Sequence, residues 1–304
     1  WGYNGNGQLG NGTFTNSATA LSAAGISTAV EVEASENHTL IRLSNGTLRA
    51  CGYNGNGQLG DGTTTTRNTP VACVGVSGAL YIGTFYRTSG YIGSADPDLV
   101  CMTGENGSGQ IGNETYTDKT TFTCIDLTPV TVSNLSFPPS KVTGGYQHTA
   151  AIRGDGTLWA WGYNGYGQLG DGTTANKNYP VKVGVATNWV QVSAGYYHTM
   201  AIKSDGTLWG WGYNGYGQIG DGTTINRSIP VQIGSATNWV KVECGIYHTA
   251  ALNSDGTLYV WGYNGYGQIG DGTVATRVTP TAVPSTTEWK NVAAGGLPHY
   301  RRKR

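Results

Sequence analysis

Apolar positions along this chain come in short runs, continuous or alternating at period two, and each run is closed by turn-forming residues. In Thr199-Met-Ala-Ile-Lys203 and Leu208-Trp-Gly-Trp211 the runs are strand-like, and Ser204-Asp205-Gly206-Thr207 between them supplies the Asp-Gly that a tight hairpin favours. Equivalent turns stand at Asn45-Gly46, Asp155-Gly156 and Asp255-Gly256. Downstream come a polar loop, a proline such as Pro180 or Pro230, a short Val-x-Val or Val-x-Ile strand, and a last strand typified by Trp189-Val190-Gln191-Val192. The pattern predicts an all-β chain with four short strands per repeat, which is a propeller blade.

The segment Trp161-Gly-Tyr-Asn-Gly-Tyr-Gly-Gln-Leu-Gly170 recurs at Trp1, Cys51, Trp211 and Trp261, with a degraded copy from Thr103 to Gly112. Its glutamines are Gln8, Gln58, Gln110, Gln168, Gln218 and Gln268, spaced 50 to 58 residues apart, a period that means an array or a propeller. A second marker, histidine followed by threonine, falls at His38, His148, His198 and His248, and His299 continues the series before Tyr300. The second copy reads Gly83-Thr-Phe-Tyr-Arg-Thr88 instead, replacing the expected histidine by Tyr86 or Arg87 depending on register. A solenoid would also stack such repeats, but no polar capping repeat closes either end, and the chain starts and stops at complementary phases. The expected organisation is therefore a single six-bladed β-propeller over 1–304. Its repeats start near 1, 51, 103, 161, 211 and 261, and an irregular region occupies 78–141. A fragment of a seven-bladed ring is the alternative, because the stretch from Pro298 to Arg304 lacks the hairpin of the other copies.

The combination of Gly-x-x-His-Thr, Asp-Gly-Thr-Leu-x-x-Trp-Gly, Asn-x-x-Gly-Gln-Leu-Gly and a downstream Pro-Val resembles the regulator-of-chromosome-condensation repeat family over nearly the whole chain. The resemblance implies four-stranded blades, usually seven in that family, which this sequence does not supply. It does not imply one function, because similar repeats occur in a chromatin-bound nucleotide-exchange factor, in secreted bacterial proteins including a β-lactamase inhibitor, and in phage and large multidomain proteins. The near identity of the copies from Trp161 to Gly272 resembles microbial and phage-type members more than the eukaryotic exchange factor.

Composition agrees with short strands and many turns: 49 Gly, 19 Tyr and 9 Trp against 12% charged residues. Lys plus Arg equals Asp plus Glu at 18 each, so the chain as a whole offers no attraction to nucleic acid or anionic lipid. No apolar run is long enough for a membrane helix. Because it begins at Trp1 in mid-repeat, the chain reads as a processed product or a piece of a longer protein or assembly. The cysteines Cys51, Cys73, Cys101, Cys124 and Cys244 form no metal-binding spacing. Cys73 and Cys124 occupy nearly equivalent points of adjacent repeats, which permits a disulfide, and the odd total leaves a free thiol or an intermolecular link.

Histidines recurring once per blade point to a shared structural task, hydrogen-bonding a buried backbone group while the ring packs, rather than to a metal or catalysis. The Asp-Gly-Thr at Asp61, Asp171, Asp221 and Asp271 lacks the dense acidic pattern of a calcium loop and reads as turn chemistry. Gly165-Tyr-Gly167 has neither the Lys-Ser/Thr ending nor the helix of a phosphate loop. No nucleophile-elbow triad and no isolated acid pair is visible, so neither an enzyme nor a cofactor is expected. Four basic residues from Arg301 to Arg304 read as a solvated end.

Tyr166, Tyr216 and Tyr266 replace Asn6, Asn56 and Ser108 inside a glycine-rich turn, where they either form a contact surface or pack on the next blade. Phe85, Tyr86 and Arg87, in the aberrant copy, are further candidates for binding, since departures from a repeat collect where function is grafted or drift is tolerated. The leading expectation is a non-enzymatic scaffold that grips another protein or a glycan in an extracellular, surface or virion assembly. The alternatives are an enzyme regulator, either an inhibitor or a guanine-nucleotide exchange factor, and a chromatin-binding propeller.

Overall fold

A computed structural model describes residues 1–93, 99–127, 139–285, 288–293 and 300–301. Among these residues the chain is all-β, with five four-stranded antiparallel sheets in which strands pair in sequence order. It falls into two compact units, Trp1–Val142 and Thr143–Arg304.

The first unit carries the sheet β1 (Ala29–Ala34), β2 (His38–Leu43), β3 (Leu48–Gly52) and β4 (Arg67–Ala72), then β5 (Ala79–Thr84), β6 (Thr88–Gly93), β7 (Leu99–Gly104) and β8 (Lys119–Asp126). Residues ahead of β1 keep the loop of a further copy, with a Gly2 to Ser17 bridge where other copies pair their third and fourth strands. The unit boundary falls within β9 (Pro139–Gly144), whose sheet continues in the second unit with β10 (His148–Arg153), β11 (Leu158–Gly162) and β12 (Lys177–Lys182). The second unit continues with β13 (Trp189–Ala194), β14 (His198–Lys203), β15 (Leu208–Gly212) and β16 (Arg227–Gln232). Its last full sheet is β17 (Trp239–Cys244), β18 (His248–Asn253), β19 (Leu258–Gly262) and β20 (Arg277–Ala282), and a two-residue strand at Val292–Ala293 follows.

Burial explains the two kinds of apolar run. In β14 five consecutive residues are buried, because a second strand has neighbours on both faces, whereas β16 has half-buried and exposed residues and no buried one, as an edge does. Four of the five fourth strands contain a proline, Pro70, Pro180, Pro230 or Pro280, which removes a ladder donor and blunts the edge; β8 does not. The core lies between successive sheets: Ile152, Leu158 and Leu169 pack with Trp189, Val192 and Trp211, and Ile202, Leu208 and Ile219 with Trp239, Val242 and Trp261. A single blade therefore cannot bury its own apolar faces.

The sheet register decides two readings the sequence left open. Thr88 pairs with Gly104 as His148 pairs with Gly162, and Phe85 N donates to Thr88 O as Gly145 N does to His148 O. Thr88 thus holds the histidine position, not Tyr86 or Arg87, and Phe85 holds the glycine position. Cys101 and Cys124 stand directly opposite each other on β7 and β8 and form the disulfide. Cys73, which the repeat alignment offered as partner of Cys124, is a buried free thiol, as is Cys51.

Candidate functional site

The repeated loop turns its amides inward. In Tyr213-Asn-Gly-Tyr-Gly-Gln218, the Asn214 side chain donates to Asp221 Oδ1, Thr223 O and Ile225 O at 3.0 to 3.2 Å, and accepts from Ile219 N at 2.9 Å. Gln218 Oε1 accepts from Tyr216 N at 2.9 Å. Asp221 Oδ1 also receives the Thr223 backbone and hydroxyl, and its Oδ2 pairs with Arg227 at 2.7 Å, so these carboxylates do turn chemistry as the sequence suggested. In each Tyr-Asn-Gly the tyrosine closes over the glycine: a Cβ on Gly215 would stand 2.2 Å from the Tyr213 hydroxyl, so a side chain there would displace the ring.

With the asparagine side chain and the glutamine carbonyl bonded inside each loop, tyrosines cover the outside. Tyr166 sits between Tyr197 and Tyr213, with ring centroids 5.0 Å away on either side. One blade later Tyr216 sits between Tyr247 at 5.2 Å and Tyr263 at 5.1 Å, and Tyr266 extends the row 6.0 Å beyond Tyr263. Tyr163 and Tyr196 lie 5.8 and 4.7 Å from Tyr197, and Tyr146 stacks on Tyr196 at 4.2 Å. Ten tyrosines in all form one connected ribbon across three sheets of the second unit. Exposure grows along it, from half-buried Tyr166 to 37% at Tyr216 and 72% at Tyr266.

The ribbon's environment is neutral. Burial, and after it the neighbouring phenols of Tyr146, Tyr166, Tyr163 and Tyr247, push the Tyr197 hydroxyl up to about 12. Burial and other phenols likewise raise Tyr213 and Tyr247. These hydroxyls remain protonated donors throughout the physiological range.

His38, His148 and His198 each tie one blade to the next. His198 Nε2 meets Thr249 Oγ1 at 3.0 Å, and that hydroxyl donates to Gln218 O at 2.8 Å, so the imidazole must donate from Nε2. His148, Thr199 and Gln168 repeat the chain at 2.9 and 2.9 Å, and His38, Ser89 and Gln58 at 2.9 and 2.8 Å. The expected bond to a backbone group is thus relayed through a hydroxyl of the following copy. The glycine three residues before the histidine is explained too, because a Cβ on Gly195 would come within 2.3 Å of the His198 ring. Where Ser35 replaces it, the hydroxyl lies 2.7 Å from His38 Nδ1.

Of the six residues singled out from sequence, Tyr166, Tyr216 and Tyr266 belong to the ribbon. Tyr86 and Arg87 are half-buried in the first unit, at positions equivalent to Tyr196 and Tyr197, with the Arg87 guanidinium 5.2 Å from the Tyr86 ring centre. Phe85 is 4% exposed, which removes it as a contact residue. Sequence reasoning missed the other seven ribbon tyrosines, although Gly145-Tyr-Gln-His, Gly195-Tyr-Tyr-His and Gly245-Ile-Tyr-His place a tyrosine one or two residues before His148, His198 and His248. In the first unit the pair equivalent to Tyr166 and Tyr197 is polar, Asn6 Nδ2 donating to Asn37 Oδ1 at 2.9 Å, whereas Asn56 Nδ2 donates to Asp118 Oδ2 at 2.9 Å, a residue outside the positions that the ribbon tyrosines occupy.

Four-stranded blades that share cores with their neighbours and are stitched by a histidine-to-hydroxyl relay from His38, His148 and His198 define an all-β repeat protein of the propeller class. The chain belongs to the RCC1-like domain family, whose model matches residues 1–299. Among curated proteins it is similar to the ultraviolet-B receptor UVR8 of Arabidopsis thaliana, with 43% identity over 44 residues, 14% of this chain and 10% of that protein. The match spans a tenth of that relative's length. Among solved structures it is similar to human WBSCR16, with a TM-score of 0.75 and 23% identity, covering 88% of this chain and 70% of that one. Similar too is Prp20p from Saccharomyces cerevisiae, described with its binding to Gsp1p and histones, with a TM-score of 0.71, 19% identity and coverage of 88% and 67%. At these identities the likeness establishes fold alone.

Proposed function

We propose that this chain is a non-enzymatic interaction module whose recognition surface is the tyrosine ribbon of its second unit, with another protein or a glycan as partner. The observation that carries this reading is the connected row of ten phenols, held over loops whose asparagine side chains and glutamine carbonyls are bonded internally. Tyrosine offers a large amphipathic contact at low entropic cost, and ring-to-ring contacts of about 0.5–1.5 kcal/mol each hold the rings in place before a partner arrives. The near identity of the copies from Trp161 to Gly272 supports a microbial or phage-type member acting in an extracellular, surface or virion assembly.

The test is capture of partners from lysate and on a glycan array by the wild type and by a Tyr166→Ser, Tyr216→Ser, Tyr266→Ser variant of unchanged melting temperature. Loss of a specific partner in the variant supports the reading. Partners retained in full would place recognition elsewhere.

A further inference from the structure

Resting on that reading, the geometry points to one class of ligand: an uncharged, proline-rich segment in the extended polyproline conformation, with ribbon phenols donating to its carbonyls.

Donor and acceptor inventory comes first. Asn164 and Asn214 are fully buried, and Gln168 and Gln218 nearly so; the two asparagine side chains and both glutamine carbonyls are engaged inside their own loops. What the ribbon presents is therefore aromatic carbon and phenolic O–H. A proline-rich chain is the complement, since it offers backbone carbonyls and lacks the N–H groups that would need acceptors. A sugar carries hydroxyl donors on most of its carbons and calls for the carboxylate and amide acceptors that these loops have turned inward.

Charge leads to the same ligand. The groups that act electrostatically on Tyr197, Tyr213 and Tyr247 are other tyrosines. A charged peptide or a nucleic acid would be desolvated there without a counter-charge, at a net cost.

Ring geometry is the third argument. Tyr166 is tilted 55° and 58° to its two neighbours, and Tyr216 56° and 60° to its own, so the surface is ridged rather than a flat platform for a sugar ring. Successive centroids from Tyr166 through Tyr213 and Tyr216 to Tyr263 are 5.0, 6.2 and 5.1 Å apart. A polyproline helix repeats about every 9 Å, so roughly every second ring meets the same face of the ligand. Aromatic-lined clefts are the general means of holding such segments.

The experiment is a calorimetric titration of the whole chain with a capped, uncharged peptide of about twelve residues built from Pro-Pro-Ala units, chosen to span about four polyproline turns. A peptide of equal length with alanine for proline, and a neutral glucose oligosaccharide of similar length, run in parallel. The expected result is saturable binding of the proline peptide, at least about tenfold weaker binding of the alanine peptide, and about five- to tenfold weakening in a Tyr166→Phe, Tyr216→Phe variant that keeps its rings and loses two donors. Equal binding of both peptides, no effect of the Phe variant, or no binding of the proline peptide each overturns the ligand class. Binding of the oligosaccharide alone does so as well while leaving the ribbon a recognition surface, a reading decided separately by the serine variant above.

Discussion

His198 Nε2 lies 3.0 Å from Thr249 Oγ1, fifty-one residues along the chain and one blade away. The Thr249 proton is committed to Gln218 O, whose carbonyl also receives Trp261 Nε1 at 2.9 Å. One buried relay therefore joins the histidine marker, the glutamine loop and the core tryptophan, and it holds the backbone from which the tyrosines project.

This relay predicts a graded response at position 249. Thr249→Val strands the His198 N–H in the interior and should cost about 1–3 kcal/mol. Thr249→Ser should be close to neutral, because Ser89 already makes the same two bonds to His38 and Gln58. Urea denaturation midpoints of the two variants check this, and equal losses would contradict it.

Acid should weaken the protein well before its carboxylates titrate. Burial lowers His38 to about 4 and His148 and His198 to about 3, below their ordinary 6.5. As pH falls below 6.5 the unfolded chain binds protons that the folded chain refuses. The stability present above 6.5 is then lost progressively down to the folded values, at up to about 1.4 kcal/mol per pH unit per histidine. Denaturation midpoints between pH 7 and 4.5 measure the slope, and a flat profile there would contradict buried neutral imidazoles.

The glycine before each histidine should be intolerant of a side chain. Gly195→Ala forces a Cβ against the His198 ring and Gly245 O, with an expected cost of about 1–3 kcal/mol. Gly195→Ser should cost less than alanine, because its hydroxyl can serve His198 Nδ1 as Ser35 serves His38. Thermal unfolding of the pair decides the order.

Cysteine chemistry gives a direct count. With Cys101 joined to Cys124, alkylation of the denatured, unreduced chain should modify Cys51, Cys73 and Cys244 and leave the other two blocked. Modification of Cys101, or protection of Cys73, would contradict the pairing.

The all-β class and the blade pattern were legible because period-two runs, Asp-Gly turns and the glutamine spacing all repeat, so each copy corroborates the others. The disulfide was not legible. It depends on which residue of β8 lies across from Cys101, and Cys124 takes the place of Ala72, one residue before that of Cys73, so its partner is the facing residue of the neighbouring strand and not a cysteine of the adjacent copy. The position of Thr88 was obscured for a similar reason: Phe85 fills the glycine site and makes the copy look shifted. Tyr166, Tyr216 and Tyr266 stood out because they break a polar consensus. Tyr197 and Tyr247 did not, although Tyr197 replaces the Asn37 that bonds Asn6, and both positions of that contact change together from amide to phenol.

The most direct test of the central claim is partner capture by the wild type beside the Tyr166→Ser, Tyr216→Ser, Tyr266→Ser variant, both verified as folded. The ribbon as recognition surface predicts a specific partner for the wild type that the variant loses. A partner bound equally by both would contradict it.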